Sequence, residues 1–79
     1  MYFVYVLESL KDNKRYVGFT NDLSRSLSDY NSGLVKSTKN RKPLELIYFE
    51  EYNNKAEAMS REKYFKSGNG RSYLKSKGF

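Results

Sequence analysis

The first residues of the chain are apolar on both of their alternating faces. Phe3, Tyr5 and Leu7 fall on one face, and Tyr2, Val4 and Val6 fall on the other. A strand without a polar face is usually covered on both sides. Residues 2–7 therefore predict a strand in the middle of a sheet.

A polar turn at residues 11–14 separates this strand from a predicted return strand at residues 15–19. A turn centred on residues 11–12 or on residues 12–13 pairs odd positions with even ones, which would place Tyr5, Leu7, Tyr16 and Gly18 on one face. A loop of odd length would instead put the two tyrosines on opposite faces.

The next stretch has the periodicity of a helix. Thr20 and Asn21 are candidate N-caps for a helix over about residues 22–31, which ends at Ser32-Gly33. The apolar positions of this helix are Leu23, Leu27 and Tyr30, spaced i, i+4, i+7. They predict an inward face that carries a third phenol.

After a basic loop at residues 35–43, residues 44–52 predict a third strand, antiparallel to the first. Asn54, followed by Glu57, matches a capping box for a helix through about Lys66. The stretch Gly68-Asn69-Gly70 should break this helix before a short basic helix over residues 71–77. The expected fold is α+β within the α/β class: one domain over residues 1–79, in which helices flank a three-stranded antiparallel sheet in the order β-β-α-β-α-α.

Composition excludes several kinds of site. The chain of 79 residues has no cysteine and no histidine, which rules out disulfides, thiolate metal sites and histidine acid–base chemistry. We expect a reducing cytoplasm as its location, with no membrane span and no small-molecule cofactor. Lys and Arg outnumber Asp and Glu by 15 to 9, which favours a polyanionic partner such as nucleic acid but also fits a plain basic surface.

Glu62 is the residue most suggestive of chemistry on periodicity alone. It lies on the helical stripe predicted by Ala58, Met59 and Phe65. A carboxylate on such a stripe is costly unless it is paired or binds a metal. The simpler alternative is an edge position in which Glu62 pairs with Lys66 at i+4.

The phenols are the second candidate group. Tyr5 and Tyr16 considered singly fit core positions, but together beside Gly18 they can line an open space, and Tyr30 can converge on them. A phenol whose pKa is lowered by nearby cations can act as a general base or hold a water.

Basic residues are the third group, and they fit either phosphate contacts or a solvated surface. We expect contacts to nucleic acid from Arg15, Lys36, Lys39, Arg41, Lys42 and Arg71, with Lys66, Lys75 and Lys77 nearby.

These motifs resemble the GIY-YIG nuclease superfamily, and within it the small stand-alone bacterial proteins with a UvrC-type endonuclease domain. The resemblance rests on Val4-Tyr5-Val6, Tyr16-Val17-Gly18 and Arg61-Glu62-Lys63, and on the later stretches Asn31-Ser32-Gly33, Lys36-Ser37-Thr38, Arg41-Lys42-Pro43-Leu44 and Lys66-Ser67-Gly68-Asn69-Gly70-Arg71. It covers nearly the whole chain.

The resemblance implies the β-β-α-β-α-α fold and phosphodiester hydrolysis of DNA, including branched or damaged DNA, with a role in DNA repair. It implies one divalent metal, Mg²⁺ or Mn²⁺, held by Glu62, and an attacking water bound or deprotonated by Tyr5 and Tyr16. Tyr30 falls where relatives carry His or Tyr. The metal and the cations would stabilise charge on the transferring phosphate.

Ser26 departs from this pattern. Active members carry an arginine at this place on the first helix, where it contacts the scissile phosphate. Arg25 lies about 100° around the helix from Ser26 and does not simply substitute. A hydroxyl cannot make the bidentate charged contact of a guanidinium, and such a loss typically costs on the order of 10²–10³ in rate.

Three hypotheses follow from the sequence. In the first, the chain is a metal-dependent endonuclease in which Lys14, Arg15 or Arg61 partly replaces the missing arginine. In the second, it is a nucleic-acid-binding module on the same fold that no longer cleaves. In the third, it is a structural protein with a basic surface. Its oligomeric state and its substrate preference stay open.

Overall fold

The computed structural model describes residues 1–35 and 40–79. The elements are β1 (Tyr2–Ser9), β2 (Arg15–Thr20), α1 (Leu23–Asn31), β3 (Leu44–Tyr52), α2 (Lys55–Lys66) and α3 (Gly68–Ser76). The order β-β-α-β-α-α is as predicted. No helix within these residues is long and apolar enough to span a membrane.

The sheet has β1 at its centre, with β2 and β3 antiparallel on its two sides. This confirms the prediction from a strand that is apolar on both faces. The register pairs Tyr5 with Gly18 and Leu7 with Tyr16, so these four residues share one face. Each of these pairs is symmetric about residues 11–12, so the turn is centred there, at one of the two predicted positions. Side chains alternate along a strand, and a turn centred there puts both tyrosines on the same side.

The β1–β2 turn is held by its own backbone. The amide of Asn13 donates to the carbonyl of Ser9, and the amide of Ser9 donates to the carbonyl of Lys14, both at 2.8 Å. Asn13 has a φ of 60°, in the left-handed region that asparagine tolerates better than most residues.

Helices cover both faces of the sheet. On one face, α2 and α3 pack their buried residues against β1, forming a cluster of Val4, Val6, Ala58, Phe65 and Leu74. On the other face, Leu23, Leu27 and Tyr30 of α1 pack against Tyr5, Leu7 and Leu44. The inward face predicted for α1 is confirmed.

Of the two predicted helix N-caps, the first is placed differently and the second is confirmed. α1 begins at Leu23, and its N-cap is Asp22, whose carboxylate accepts from the amide of Arg25 at 3.0 Å. A carboxylate forms a stronger cap than the hydroxyl of Thr20, which instead contacts Asp22. The predicted cap at Asn54 is confirmed by its bond of 2.8 Å from the amide of Glu57.

The prediction that residues 68–70 break the helix was wrong in its position. The break is at Ser67, whose extended backbone caps α3, so Gly68, Asn69 and Gly70 form the first turn of α3. Gly70 is required there because a Cβ atom would come within 2.1 Å of the Tyr64 carbonyl oxygen. The absent side chain lets α3 pack directly on the end of α2.

Asn31 ties α1 to β3. Its side-chain oxygen accepts from the Leu44 amide at 2.7 Å, and its side-chain nitrogen donates to the Leu44 carbonyl at 3.0 Å. These paired bonds place Tyr30 at a fixed height over the sheet.

Candidate active site

Tyr5 lies at the centre of the candidate site. It is only 6 % exposed, and its ring lies against Gly18 on the neighbouring strand. Its hydroxyl donates to the hydroxyl of Tyr30 at 3.3 Å, and the two rings meet edge to face with centroids 6.1 Å apart. The sheet register and the inward face of α1 therefore bring these two phenols into contact.

The electrostatic surroundings of Tyr5 oppose ionisation. Burial raises the pKa of Tyr5, and the hydrogen bond to Tyr30 and the negative charge of Glu62 raise it further. Tyr5 thus stays protonated at neutral pH. Tyr5 does not meet the condition of a phenol whose pKa is lowered by nearby cations, because burial in the first place, and the Glu62 carboxylate in the last, raise its pKa.

Glu62 lies near this pair on α2. Its side chain is 20 % exposed and accepts a salt bridge from Lys66 at 3.5 Å, the i+4 pairing considered from the sequence. Ala58 and Phe65 on the same stripe are buried, whereas Met59 is 40 % exposed, so the predicted stripe is narrower than expected. The negative charge of Glu62 is one of the causes that raise the pKa of Tyr5.

Within residues 1–35 and 40–79, no group of three or more acidic, His or Cys side chains could enclose a metal ion. The donor set is the single carboxylate of Glu62. Mg²⁺ commonly keeps several waters and takes one or two carboxylates together with substrate phosphates. Glu62 therefore fits an open site of that kind and does not fit a closed protein cage.

Tyr16 shares the sheet face of Tyr5, two positions along β2 from Gly18, and packs against the cluster of Tyr5, Leu7 and Leu44. Arg41 lies close to it: the pKa of Arg41 is raised first by its hydrogen bond to Asp12 and then by Tyr16. No bond between the hydroxyls of Tyr16 and Tyr5 is described.

A groove of about 890 Å³ opens beside the phenols. Its lining includes Tyr16 and Tyr30 and five cationic residues: Lys14, Arg15, Lys66, Arg71 and Lys75. Two of the six predicted nucleic-acid contacts, Arg15 and Arg71, lie here. Clustered cations beside phenolic hydroxyls form a surface suited to phosphate groups.

The other predicted contacts are placed differently. Arg41 forms a salt bridge with Asp12, and Lys42 beside it is exposed. Lys36 and Lys39 lie outside the described residues. Arg15 forms a bond of 3.3 Å with Glu8 at the surface, a pairing that solvent weakens.

Ser26 faces the end of β2. Its hydroxyl donates to the hydroxyl oxygen of Thr20 at 2.8 Å, and the same oxygen accepts from the amide of Asp22 at 3.1 Å. Arg25 is exposed, and its guanidinium reaches Asn21 at 3.5 Å. The geometry agrees with the expectation that Arg25 does not take the place of an arginine at position 26.

Arg61 is held in a network that the sequence analysis missed. Its guanidinium donates two bonds to the carboxylate of Glu50, at 2.8 and 3.2 Å, and the hydroxyls of Tyr48 and Tyr52 donate to the same carboxylate at 2.5 and 2.6 Å. The guanidinium also lies 4.5 to 4.7 Å from the ring centres of Tyr64, Phe65 and Tyr73. The alternation of residues 48, 50 and 52 along one strand face was the available signal.

This network leaves Arg61 unable to replace the missing arginine. Burial opposes the ionisation of Glu50, but the bonds from Arg61, Tyr48 and Tyr52 outweigh it, so the pKa of Glu50 is lowered. Arg61 is thus committed to a structural ion pair with Glu50, which lies on the opposite face of the sheet from Tyr5.

The sequence of this chain is similar to a known protein family and to known bacterial proteins. Residues 1–75 match the model of the GIY-YIG catalytic domain. The chain is 45 % identical over 67 residues to UPF0213 protein CPE1444 of Clostridium perfringens, covering 84 % of this chain and 71 % of that protein. It is 47 % identical over 66 residues to UPF0213 protein YazA of Bacillus subtilis, covering 82 % of this chain and 66 % of that protein, so the matched part is only about two thirds of either relative.

A solved structure of another UPF0213 protein is also similar to this chain. The solution NMR structure of UPF0213 protein BH0048 from Bacillus halodurans matches with a TM-score of 0.59 and 34 % identity, over 99 % of this chain and 86 % of that one. The chain therefore belongs to the GIY-YIG nuclease family.

Proposed function

We propose that this protein is a divalent-metal-dependent endonuclease that hydrolyses phosphodiester bonds in DNA, at a rate reduced by the serine at position 26. The observation that carries the proposal is the contact of 3.3 Å between the hydroxyls of Tyr5 and Tyr30, with the charge of Glu62 acting on Tyr5. The cationic groove lies beside this contact.

Glu62 would hold the divalent cation, Mg²⁺ or Mn²⁺, with waters and the phosphate as its other ligands. When bound, the cation would stabilise charge on the transferring phosphate and lower the pKa of a bound water. Lys66, which pairs with Glu62 across 3.5 Å, would exchange that carboxylate for a phosphate of the substrate.

The phenols act as neutral groups in this proposal. The hydroxyl of Tyr5 donates a hydrogen bond to the hydroxyl oxygen of Tyr30. The hydroxyl of Tyr30 can therefore donate its own hydrogen bond toward the groove that Tyr30 lines. Tyr16 lines the same groove from the sheet. Hydroxyls held by packing can orient a water or a phosphate oxygen without reorganising during the reaction, which is how preorganised donors lower a barrier.

The groove cations supply the affinity for the substrate. Lys14, Arg15 and Lys75 lie along the groove, and each phosphate they neutralise releases condensed counterions. We take branched or damaged DNA as the substrate class, a role in DNA repair, a cytoplasmic location and a single domain over residues 1–79 as parts of the same proposal.

A second candidate function is a nucleic-acid-binding module that does not cleave. It is favoured by the bond of 2.8 Å from Ser26 to Thr20, which ties the hydroxyl at position 26 to the protein. In this alternative the groove still binds phosphates, but no arginine clamps the scissile one.

A nicking assay on supercoiled plasmid separates the two. The endonuclease proposal expects Mg²⁺- or Mn²⁺-dependent nicking that a chelator stops and that Glu62→Ala abolishes. Glu57→Ala is the matched control, because Glu57 is an exposed carboxylate on the same helix, and it should nick like the native protein.

Binding is measured in parallel without metal. A dissociation constant that rises steeply with salt, together with no nicking in either metal, would leave the binding module as the function. Salt-insensitive or absent binding would remove both candidates. Nicking that survives Glu62→Ala would remove Glu62 as the metal ligand.

A further inference from the structure

The groove beside the candidate site passes around the edge of the sheet. It is lined by Tyr16 and by Val17, which follow each other along β2. Successive residues of a strand point to opposite faces, and β2 is an edge strand. The groove therefore runs from the phenol face, at Tyr16 and Tyr30, around the edge of β2 to the face that α2 and α3 cover.

Beyond the edge of β2 the groove has an apolar floor. Val17 is joined there by Phe65, Leu74 and Phe79. Phe65 and Leu74 are buried, whereas Phe79 is 37 % exposed and presents its ring to the groove. A surface that contacts phosphates alone uses cations and polar groups. The apolar floor therefore indicates a ligand that also has an uncharged part.

The ring of Phe79 is fixed by the way α3 ends. Gly78 has a φ of 92°, its amide donates to the carbonyl of Lys75 at 3.0 Å, and the amide of Phe79 donates to the carbonyl of Leu74 at 3.1 Å. This pair of bonds is a Schellman motif, which turns the chain back over the last turn of a helix. The Phe79 ring then rests on the ring of Tyr48, with centroids 5.4 Å apart. The aromatic wall is thus in place before a ligand binds.

Cations lie directly beside the apolar floor. Arg71 and Lys75 are spaced i, i+4 on α3, so they lie on one side of the helix, where Leu74 between them also lines the groove. Both cations are exposed, and neither forms a salt bridge with another described residue. In the part of the chain that the structure describes, no acidic side chain lines the groove. The groove therefore suits a ligand whose uncharged part is joined to an anion.

We propose that the groove binds one whole unpaired nucleotide, with its phosphate at Arg71 and Lys75 and its base against Phe79. This rests on the proposed function, since it names the substrate class for that site: DNA in which the nucleotide next to the cut is unpaired. A nucleotide joins a planar uncharged base to an anion, as the lining of the groove requires. The volume of about 890 Å³ lies within the range of pockets that enclose a small molecule, about 300–1,000 Å³, so the groove has room for the base.

The continuity of the groove favours a nucleotide over another anion with an apolar part. At its other end the groove is lined by Tyr30, whose hydroxyl is bonded to that of Tyr5. A strand whose scissile phosphate lies at these phenols leads its next nucleotide around the edge of β2 to the apolar floor.

Base pairing then decides which DNA can bind. A duplex keeps its bases stacked on one another and cannot present one to Phe79 without unpairing, whereas a single strand or a bulge can. Stacking on an aromatic ring tolerates every base, because each base has a π-face. The groove thus predicts discrimination by base availability with no discrimination by base identity.

The test is a binding measurement in a chelator, so that it is independent of cleavage. A labelled single-stranded oligonucleotide should bind Phe79→Ala about tenfold more weakly than the native protein, because one stacked base is lost. Phe49→Ala is the matched control, because Phe49 is 44 % exposed but lies on β3, at the far edge of the sheet, and it should bind like the native protein. The duplex of the same sequence should bind all three proteins equally.

Two further changes separate the base from the phosphate. An oligonucleotide of abasic residues keeps every phosphate, so it should bind the native protein about as weakly as the intact oligonucleotide binds Phe79→Ala. Arg71→Ala removes a phosphate contact and should weaken the binding of the intact, abasic and duplex oligonucleotides by the same factor.

The chain contains no tryptophan, so Phe79→Trp creates a single fluorophore in the groove while keeping an aromatic ring at the end of α3. Its emission should be quenched by the intact single strand and unchanged by the abasic one. Phe49→Trp should be quenched by neither.

Equal affinity of Phe79→Ala and the native protein for the single strand, or an abasic oligonucleotide that binds as tightly as the intact one, would overturn the nucleotide site. Two other results would do the same if the oligonucleotide did not respond to Phe79→Ala. One is binding to phosphatidylglycerol vesicles that Phe79→Ala weakens, and the other is a dimer that Phe79→Ala dissolves, since the groove would then take a lipid or a second copy.

These results are distinguishable from failure of the proposed function. Metal-dependent nicking that needs Glu62, with oligonucleotide binding that is indifferent to Phe79, would overturn only the nucleotide site. Absence of binding to any of the oligonucleotides would overturn the proposed function as well.

Discussion

The phenol of Tyr5 occupies the space that a side chain at position 18 would need. A Cβ atom on Gly18 would lie 2.4 Å from the Tyr5 hydroxyl oxygen and 2.7 Å from the ring carbon that bears it. Because Tyr5 is buried and bonded to Tyr30, the ring has little freedom to move aside. The glycine is thus a condition for the two phenols to meet.

Gly18→Ala should therefore displace Tyr5 and separate its hydroxyl from that of Tyr30. We expect a loss of about 1–3 kcal/mol in the free energy of unfolding, as for other overpacked sites, and a loss of nicking activity. Denaturant unfolding followed by circular dichroism measures the first. Gly68→Ala is the control, because nothing lies within 4 Å of a Cβ atom there; an unchanged stability in Gly18→Ala would show that Tyr5 is not fixed.

The sheet could be predicted from residues alone. An apolar pattern on both faces placed β1 at the centre, and the polar turn at residues 11–14 set a register that brings Tyr5 and Tyr16 onto one face. Side chains alternate along a strand, so a shift of the register by one residue would move every side chain to the other face. The apolar pattern therefore has only two faces to choose between. The spacing of Leu23, Leu27 and Tyr30 likewise predicted the inward face of α1.

The surroundings of individual groups could not be predicted in the same way. The charge that acts on Tyr5 comes from α2, more than fifty positions along the chain, and the ring stack on Arg61 depends on how α3 docks through Gly70. Periodicity says which face a residue occupies but not which side chain lies across from it. The sequence therefore offers Arg61 as a partial replacement for the arginine absent at position 26, whereas the geometry makes it a structural residue.

Arg61→Ala tests that structural role. The change would leave the carboxylate of Glu50, whose side chain is 16 % exposed, without its cation, and we expect a loss of about 3–5 kcal/mol in the free energy of unfolding. Thermal unfolding measures the effect. Lys63→Ala removes an exposed cation from the same helix and should change little; equal effects of the two variants would contradict the role of the network.

Alkaline pH should destabilise the protein. Burial raises the pKa of Tyr5 and of Tyr48, and burial together with the bond to Glu50 raises the pKa of Tyr52 to about 12. Above about pH 10 the unfolded tyrosines lose protons that these folded ones keep, so the unfolded state binds fewer protons and stability falls as pH rises.

Tyr73, whose pKa is lowered by its contact with Tyr48, opposes this trend but is one group against three. Denaturant midpoints at pH 8, 10 and 11 (from about two units below to about one unit above the pKa of an unperturbed phenol) should fall over the last interval. Tyr5→Phe should make the denaturant midpoint depend less on pH, because it removes one of the titrating groups. A denaturant midpoint that increases between pH 10 and pH 11 would contradict the raised pKa values of the tyrosines.

Ser26→Arg should raise the nicking rate. The hydroxyl of Ser26 makes one bond, to Thr20, whose oxygen keeps the amide of Asp22 as a partner, so the substitution strands no buried group. A guanidinium there would supply the charged contact to the scissile phosphate, and we expect a gain on the order of 10²–10³ in rate with stability nearly unchanged. Ser28→Arg adds the same charge to an exposed position about 200° around α1 and should not accelerate nicking. Equal gains from the two variants would mean that added charge alone is responsible, and no gain from either would mean that position 26 does not face the phosphate.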